Sequence, residues 1–116
     1  MVAWWTADNT ANDLSGNGNH GALHGSATYT SGMVGAAFSL PTIADYVQVP
    51  NHPTLNFSGN FAIDAWIRTT NPTVARATIA DKRAGTNTNP VGYHLFIFQG
   101  ALGFQLADGQ PFLNHV

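Results

Sequence analysis

The chain has no cysteine. That excludes a disulfide framework and any thiolate metal site. It has no glutamate either; its acids are six aspartates, facing just four Lys plus Arg in 116 residues. Charged residues make up 9% of the chain, against about 25% in average soluble domains. Solubility therefore rests on Asn, Thr, Ser and Gln, a surface frequent in secreted proteins. The net charge of −2 gives no basic patch, so nucleic acid is not an expected partner. No run approaches the roughly 20 apolar residues of a membrane helix, and no membrane partner is expected. The opening Met1-Val2-Ala3-Trp4-Trp5 has neither a charged n-region nor an apolar h-region. No signal peptide is expected in this chain; if the parent protein is secreted, its signal lies upstream.

What the sequence does hold is a 44% hydrophobic share, enough for a core in one domain spanning 1–116. Helical periodicity is nearly absent, because Gly or Pro interrupts almost every window. Strand signals are strong. Ile43 to Val49 ends at Pro50. Phe61 to Thr69 alternates, with Phe61, Ile63, Ala65 and Ile67 on one face and Asp64, Trp66 and Arg68 on the other. Tyr93 to Gln99 and Leu102 to Ala107 read as a hairpin about Gly100-Ala101. Val2 to Thr6, Gly35 to Leu40 and Ala77 to Lys82 are shorter candidates, and the polar stretch from Arg83 to Pro90 reads as a loop. About eight or nine short strands are expected, spaced as in all-β sandwiches.

The densest chemistry is Asp13-Leu14-Ser15-Gly16-Asn17-Gly18-Asn19-His20-Gly21. Glycine permits tight turns with φ > 0, while Asp, Ser and Asn supply oxygens. Asp13, Ser15 and Asn17 sit at positions one, three and five of a calcium loop, with Gly18 at six and the Asn19 carbonyl at seven. Position twelve is His24 rather than a bidentate Glu, which excludes an EF-hand. Two readings stay open: a looser Ca²⁺ site on Asp13, Ser15, Asn17 and Asn19, or a turn fixed by Asx hydrogen bonds. His20 and His24 lack the helical spacing of a zinc pair, and His52, His94 and His115 are scattered, so all five read as surface or core residues.

No catalytic constellation is expected. Glycoside hydrolysis usually needs two carboxylates, and no two aspartates lie at i and i+2 or i+4 on one strand. Asp64, the one strand acid, reads as a structural partner of Arg68. No nucleophile elbow, Walker loop or dinucleotide fingerprint appears. Among the aromatics, adjacent Trp4 and Trp5 must point to opposite faces of a strand. The loops Asp8–Asn12, Asn51–Pro53 and Thr86–Asn89 are the expected contact surfaces. Asn56-Phe57-Ser58 fits a glycosylation sequon but is discounted.

Five segments in order carry a resemblance: Ala3 to Asp8, Asp13 to Gly21, Gly32 to Phe38, Asp45 to Pro50, and Phe61 to Ile67. Together they resemble a laminin-G-like, concanavalin A-like jelly-roll domain, over Val2 to about Gly109. The resemblance implies an all-β, antiparallel two-sheet jelly-roll sandwich, of which this chain covers roughly the first two-thirds. It also implies acidic residues near the end of the family domain that help close a calcium site, and these are absent. An incomplete sandwich leaves open sheet edges, which favour a homo-oligomer. The expected function is a non-catalytic carbohydrate-binding or adhesion module of a larger extracellular protein, calcium-dependent if the loop holds Ca²⁺. The alternative is a structural spacer or protein–protein module of the same fold without glycan affinity.

Overall fold

The computed structural model describes residues 1–70, 73, 76–85, 90–109 and 114–115, the last two by backbone alone. It is all-β, with several antiparallel sheets. The chain divides into two compact units, Met1–Asp64 and Ala65–Val116.

Unit 1 holds four short strands: β1 (Ala22–His24), β2 (Thr28–Ser31), β3 (Ala36–Ser39) and β4 (Tyr46–Gln48). β1 pairs antiparallel with β4, Leu23 opposite Val47. β2 pairs with β3 through a turn closed by Gly32 N–H donating to the Gly35 carbonyl. A 3₁₀ turn follows at Pro53–Leu55, with Leu55 buried. Its missing Pro N–H is no loss at the first position, and His52 caps it by accepting from Thr54 N–H.

Unit 2 holds one four-stranded sheet in the order β5 (Ala77–Gly85), β6 (Pro90–Phe98), β7 (Ala101–Asp108), β8 (Asn114–His115). β6 and β7 join through a two-residue turn. Its central residues Gln99 and Gly100 both have positive φ, 49° and 85°, the type I′ geometry that matches strand twist. The pairing runs to Phe98 opposite Ala101. The turn therefore sits one residue earlier than Gly100-Ala101, because the left-handed pair is Gln99-Gly100. A bulge between Thr78 and Ala80 shifts the β5 register and returns both Thr78 and Asp81 to one face.

Three expected elements differ. Phe61 to Thr69 forms no strand despite its alternation. Phe61 and Ile63 are partly covered, but every residue from Asp64 to Thr70 is exposed, and alternation makes a strand only where a ladder partner is present. Val2 to Thr6 is likewise not a strand. The polar run from Arg83 to Pro90 is in part strand: Arg83, Ala84 and Gly85 extend β5 and Pro90 opens β6. Pro90 is tolerated there as the first residue of its strand.

The units differ in charge. Unit 1 contains Asp8, Asp13, Asp45 and Asp64 and no Lys or Arg, a formal −4. Unit 2 contains all four cations, Arg68, Arg76, Lys82 and Arg83, against Asp81 and Asp108, a formal +2.

Candidate functional site

The four residues of the Asp13 loop do come together, and what they hold is backbone. Asp13 Oδ1 accepts from Trp4 N–H and Ser15 N–H, both at 2.9 Å. Asp13 Oδ2 accepts from Asn19 N–H at 3.0 Å and from the Ser15 hydroxyl at 2.8 Å. Gly16 and Gly18, with φ of 88° and 75°, let the chain curl around this carboxylate. Burial pushes the Asp13 carboxyl up, but the donors from Ser15, Trp4 and Asn19 outweigh it and hold the group well below the ordinary carboxylate range.

Asn17 and Asn19 turn their amides to the N-terminal segment. The Val2 carbonyl accepts from Asn17 Nδ2 at 2.9 Å and Asn19 Nδ2 at 3.1 Å, and lies 3.0 Å from Ser15 Oγ, whose single proton goes to Asp13. Asn19 is only 1% exposed. Its side chain reaches Thr54 Oγ1, which also meets His52 Nδ1 at 2.8 Å. The loop is thereby tied to the 3₁₀ turn. His20 belongs to it as well, its Nδ1 accepting from Asp13 N–H at 3.1 Å.

This geometry fits a calcium ion poorly. Each Asp13 oxygen already takes two donors, leaving no lone pair directed at a cation. The Asn17 amide turns its N–H group toward the cluster, and calcium takes oxygen ligands. Among the described residues, no three His, Cys, Asp or Glu side chains gather as a metal site.

Two further aspartates in unit 1 act in the same way. Asp45 Oδ1 accepts from Ser26 N–H and Oδ2 from Thr42 N–H, both at 2.6 Å. Burial opposes ionisation there too, and the Ser26 and Thr42 bonds prevail, lowering its pKa. Asp8 accepts from Ala36 N–H at 2.8 Å, joining its loop to the β2–β3 turn.

The aromatics divide by role. Trp5 donates its indole N–H to the Asn19 carbonyl at 2.8 Å, the partner a covered indole requires. Its neighbour Trp4 is 50% exposed, and Trp66, in unit 2, is 81% exposed. Tyr46 stacks on His24 with centroids 4.7 Å apart and keeps half its surface in solvent. Of the expected contact loops, Asp8–Asn12 and Asn51–Pro53 present mostly exposed or half-exposed residues, with Ala11 the buried exception. Thr86–Asn89 lies outside the described residues.

On the unit 2 sheet, Asp81, His94 and Gln105 stand opposite one another on β5, β6 and β7 and share a face. Arg83 bridges Asp81 at 2.6 Å and Gln105 at 3.1 Å. His94 is 1% exposed; its Nε2 meets Thr78 Oγ1 at 3.0 Å, and its Nδ1 has no partner among the described residues. Burial pushes this imidazole below its ordinary value; Arg83 and Arg76 reinforce the shift and Asp81 opposes it. Sequence reading placed His94 only among three scattered histidines, read as surface or core residues. The missing signal was the register that sets it in mid-sheet.

A family model described as Clostridium neurotoxin, N-terminal receptor binding, matches residues 8–116. No curated protein and no solved structure matches the chain. The matched family is β-rich, jelly-roll and lectin-like, and its domains bind receptors rather than catalyse, in agreement with the absence of a catalytic constellation from the sequence. The match extends over nearly the whole chain, which therefore belongs to the family of N-terminal receptor-binding domains of Clostridium neurotoxins.

Proposed function

We propose that the chain is a receptor-binding module of a larger secreted protein and that its receptor is a glycan. The observation that carries this reading is the family match across residues 8–116. The glycan part is supported by Trp66, a large indole left 81% exposed. Apolar sugar faces stack on such rings, and an exposed Trp otherwise adds nothing to a small domain's core. The laminin-G-like, concanavalin A-like two-sheet jelly roll is the architecture we infer for the complete family domain. Its support is the antiparallel pairing throughout and the type I′ hairpin of β6 and β7.

Calcium is not needed in this reading. The Asp13 loop serves as a frame for the N-terminal segment, and its carboxylate is satisfied by protein donors. Recognition then proceeds unchanged in a chelator. Self-association has separate support in the edges left on the two-stranded sheets of unit 1, and light scattering reads it directly.

A second reading, a protein receptor, is favoured by one specific feature. Val91, Leu102 and Leu106 are exposed on one face of the unit 2 sheet, an apolar surface suited to a protein partner. A glycan array probed with the full chain separates the two. Binding that Trp66→Ala reduces at least tenfold supports the glycan. An empty array with retained binding to protease-sensitive cell surfaces overturns it in favour of a protein.

A further inference from the structure

The structure assigns Asn17 as a site of spontaneous deamidation, which turns one of the clasps on the N-terminal segment into a carboxylate. This modification is independent of the receptor-binding reading. Its chemistry needs an Asn side chain beside a backbone nitrogen that can reach it. Asn17 is the one asparagine of the chain that glycine follows. Glycine has no Cβ to hinder the approach, and its backbone rotates readily.

The Gly18 nitrogen attacks Asn17 Cγ. A bond forms between the two atoms, the bond from Cγ to Nδ2 breaks, and ammonia leaves with the proton that Gly18 N–H gives up. The product is a cyclic imide. Water then opens the imide at one of its two carbonyls. One opening leaves aspartate; the other leaves isoaspartate, whose main chain runs through Cγ. No oxidant or reductant takes part.

The attacking atom is unencumbered. Gly18 N–H makes no hydrogen bond with a described residue, and a side-chain carbon placed at Gly18 would meet nothing within 4 Å. Asn17 and Gly18 are both exposed, so water reaches the imide. The leaving nitrogen is held by Asn17 Nδ2 donating to the Val2 carbonyl at 2.9 Å and to Ser15 Oγ at 3.1 Å. These are exposed bonds between neutral groups, each a factor of about ten at most. Asp108-Gly109 provides the contrast. An Asp-Gly pair can close the same imide, but Gly109 N–H donates to the Pro90 carbonyl at 2.8 Å, which holds the nitrogen out of reaction.

The consequence falls on the N-terminal segment. Two amides, those of Asn17 and Asn19, donate to the Val2 carbonyl. A carboxylate at position 17 sets an acceptor against that acceptor. The Ser15 hydroxyl, already donating to Asp13 Oδ2 at 2.8 Å, then has two carboxylates beside it and one proton to give. Unit 1 has no Lys or Arg to balance the new charge. The isoaspartyl product also lengthens the main chain by one carbon. The segment therefore loosens as the molecule ages, and the sheet of unit 2 takes no part.

The test is incubation of the full chain in mildly alkaline buffer, followed by peptide mass mapping and by labelling of the products with an isoaspartyl methyltransferase. Asn17 should convert at least tenfold faster than any other Asn, and the label should fall on its peptide. The rate should rise with pH, because the attacking form is the deprotonated Gly18 nitrogen. Asp108 should isomerise only in urea, which frees Gly109 N–H. Asn17→Gln, which would have to close a larger ring, should stop conversion at this position. Asn17→Asp should reproduce the aged chain at once, with faster hydrogen exchange in residues 2–4 and unchanged exchange in β6 and β7. An Asn17 amide that survives in the folded chain yet converts in urea overturns the assignment, and so does conversion centred on another Asn. Unchanged exchange in residues 2–4 of Asn17→Asp overturns the loosening of the segment.

Discussion

In residues 1–64 loops are held by carboxylates: Asp8, Asp13 and Asp45 each accept backbone N–H groups. In unit 2 the strands β5 to β8 pair their backbone groups in one continuous ladder instead. The acids of unit 1 thus do the work that strands do in unit 2. The fully buried groups follow suit, Asn19 in unit 1 and His94 in unit 2. Both halves must satisfy buried backbone polar groups. A strand-poor unit does so with side-chain oxygens, which makes its integrity depend on a few ionised groups.

The most damaging single change should fall on the ladder. Gly92 has a φ of 122°, and a side-chain carbon there would strike the Lys82 carbonyl of the neighbouring strand. Gly92→Ala combines left-handed strain with a backbone clash, and should cost about 3 kcal/mol. Hydrogen exchange should show protection lost across β5, β6 and β7 while the Asp13 loop stays protected. Equal loss in both units would mean that they do not respond independently.

Breaking the staple should have the next largest effect, in the other unit. In Asp13→Asn an amide N–H group replaces one oxygen and opposes either Asn19 N–H or the Trp4 and Ser15 N–H groups. An unsatisfied buried donor costs about 1–3 kcal/mol, and exchange should quicken in residues 2–20 while β6 and β7 are unchanged. The Asp13 loop was legible in outline: Asp, Ser, Asn and three glycines in nine residues announced a tight, oxygen-lined turn. Its donors were not legible, because three of them are backbone N–H groups, which every residue except proline carries. Sequence ranks side chains, and here the side chain's partners are main chain.

Acid should separate the units by pH window. His94 has a lowered pKa in the folded state, so the unfolded chain binds its proton more readily. The stability it contributes is complete above the unfolded value of about 6.5 and falls as pH drops below it. Asp13 and Asp45 also have lowered pKa values, but their unfolded reference is about 3.9, so their contribution is lost only as pH falls below about 4. Exchange protection in unit 2 should therefore weaken between pH 7 and 5, and that of unit 1 only in stronger acid. His94→Leu should abolish the first stage. If the first stage persists in that variant, another group in unit 2 drives it.

The smallest effect belongs to the Asp81–Arg83 ion pair. Asp81 and Arg83 are each about one-third exposed on their side chains, and such pairs contribute about 1 kcal/mol or less. Arg83→Gln should shift the urea midpoint only slightly and leave unit 1 unaffected.

The sheet of unit 2 was largely readable, since Tyr93 to Gln99 and Leu102 to Ala107 carry dense apolar and aromatic residues around a glycine. It failed at Arg83 to Gly85, where a polar segment is strand because β6 provides its partner, and at Phe61 to Thr69, where clean alternation forms no strand with any described residue. Both errors have one cause. Side-chain pattern reports which faces a segment could bury, while strand status depends on a neighbour elsewhere in the chain.

The Asp13 carboxylate also sets an order of events. Its backbone donors Trp4, Ser15 and Asn19 lie nine, two and six residues away, loops short enough to close at little entropic cost. The pairing of Leu23 with Val47 must wait for a far longer closure. During synthesis, then, the first twenty residues can gather around one side chain before the strands they will support have emerged.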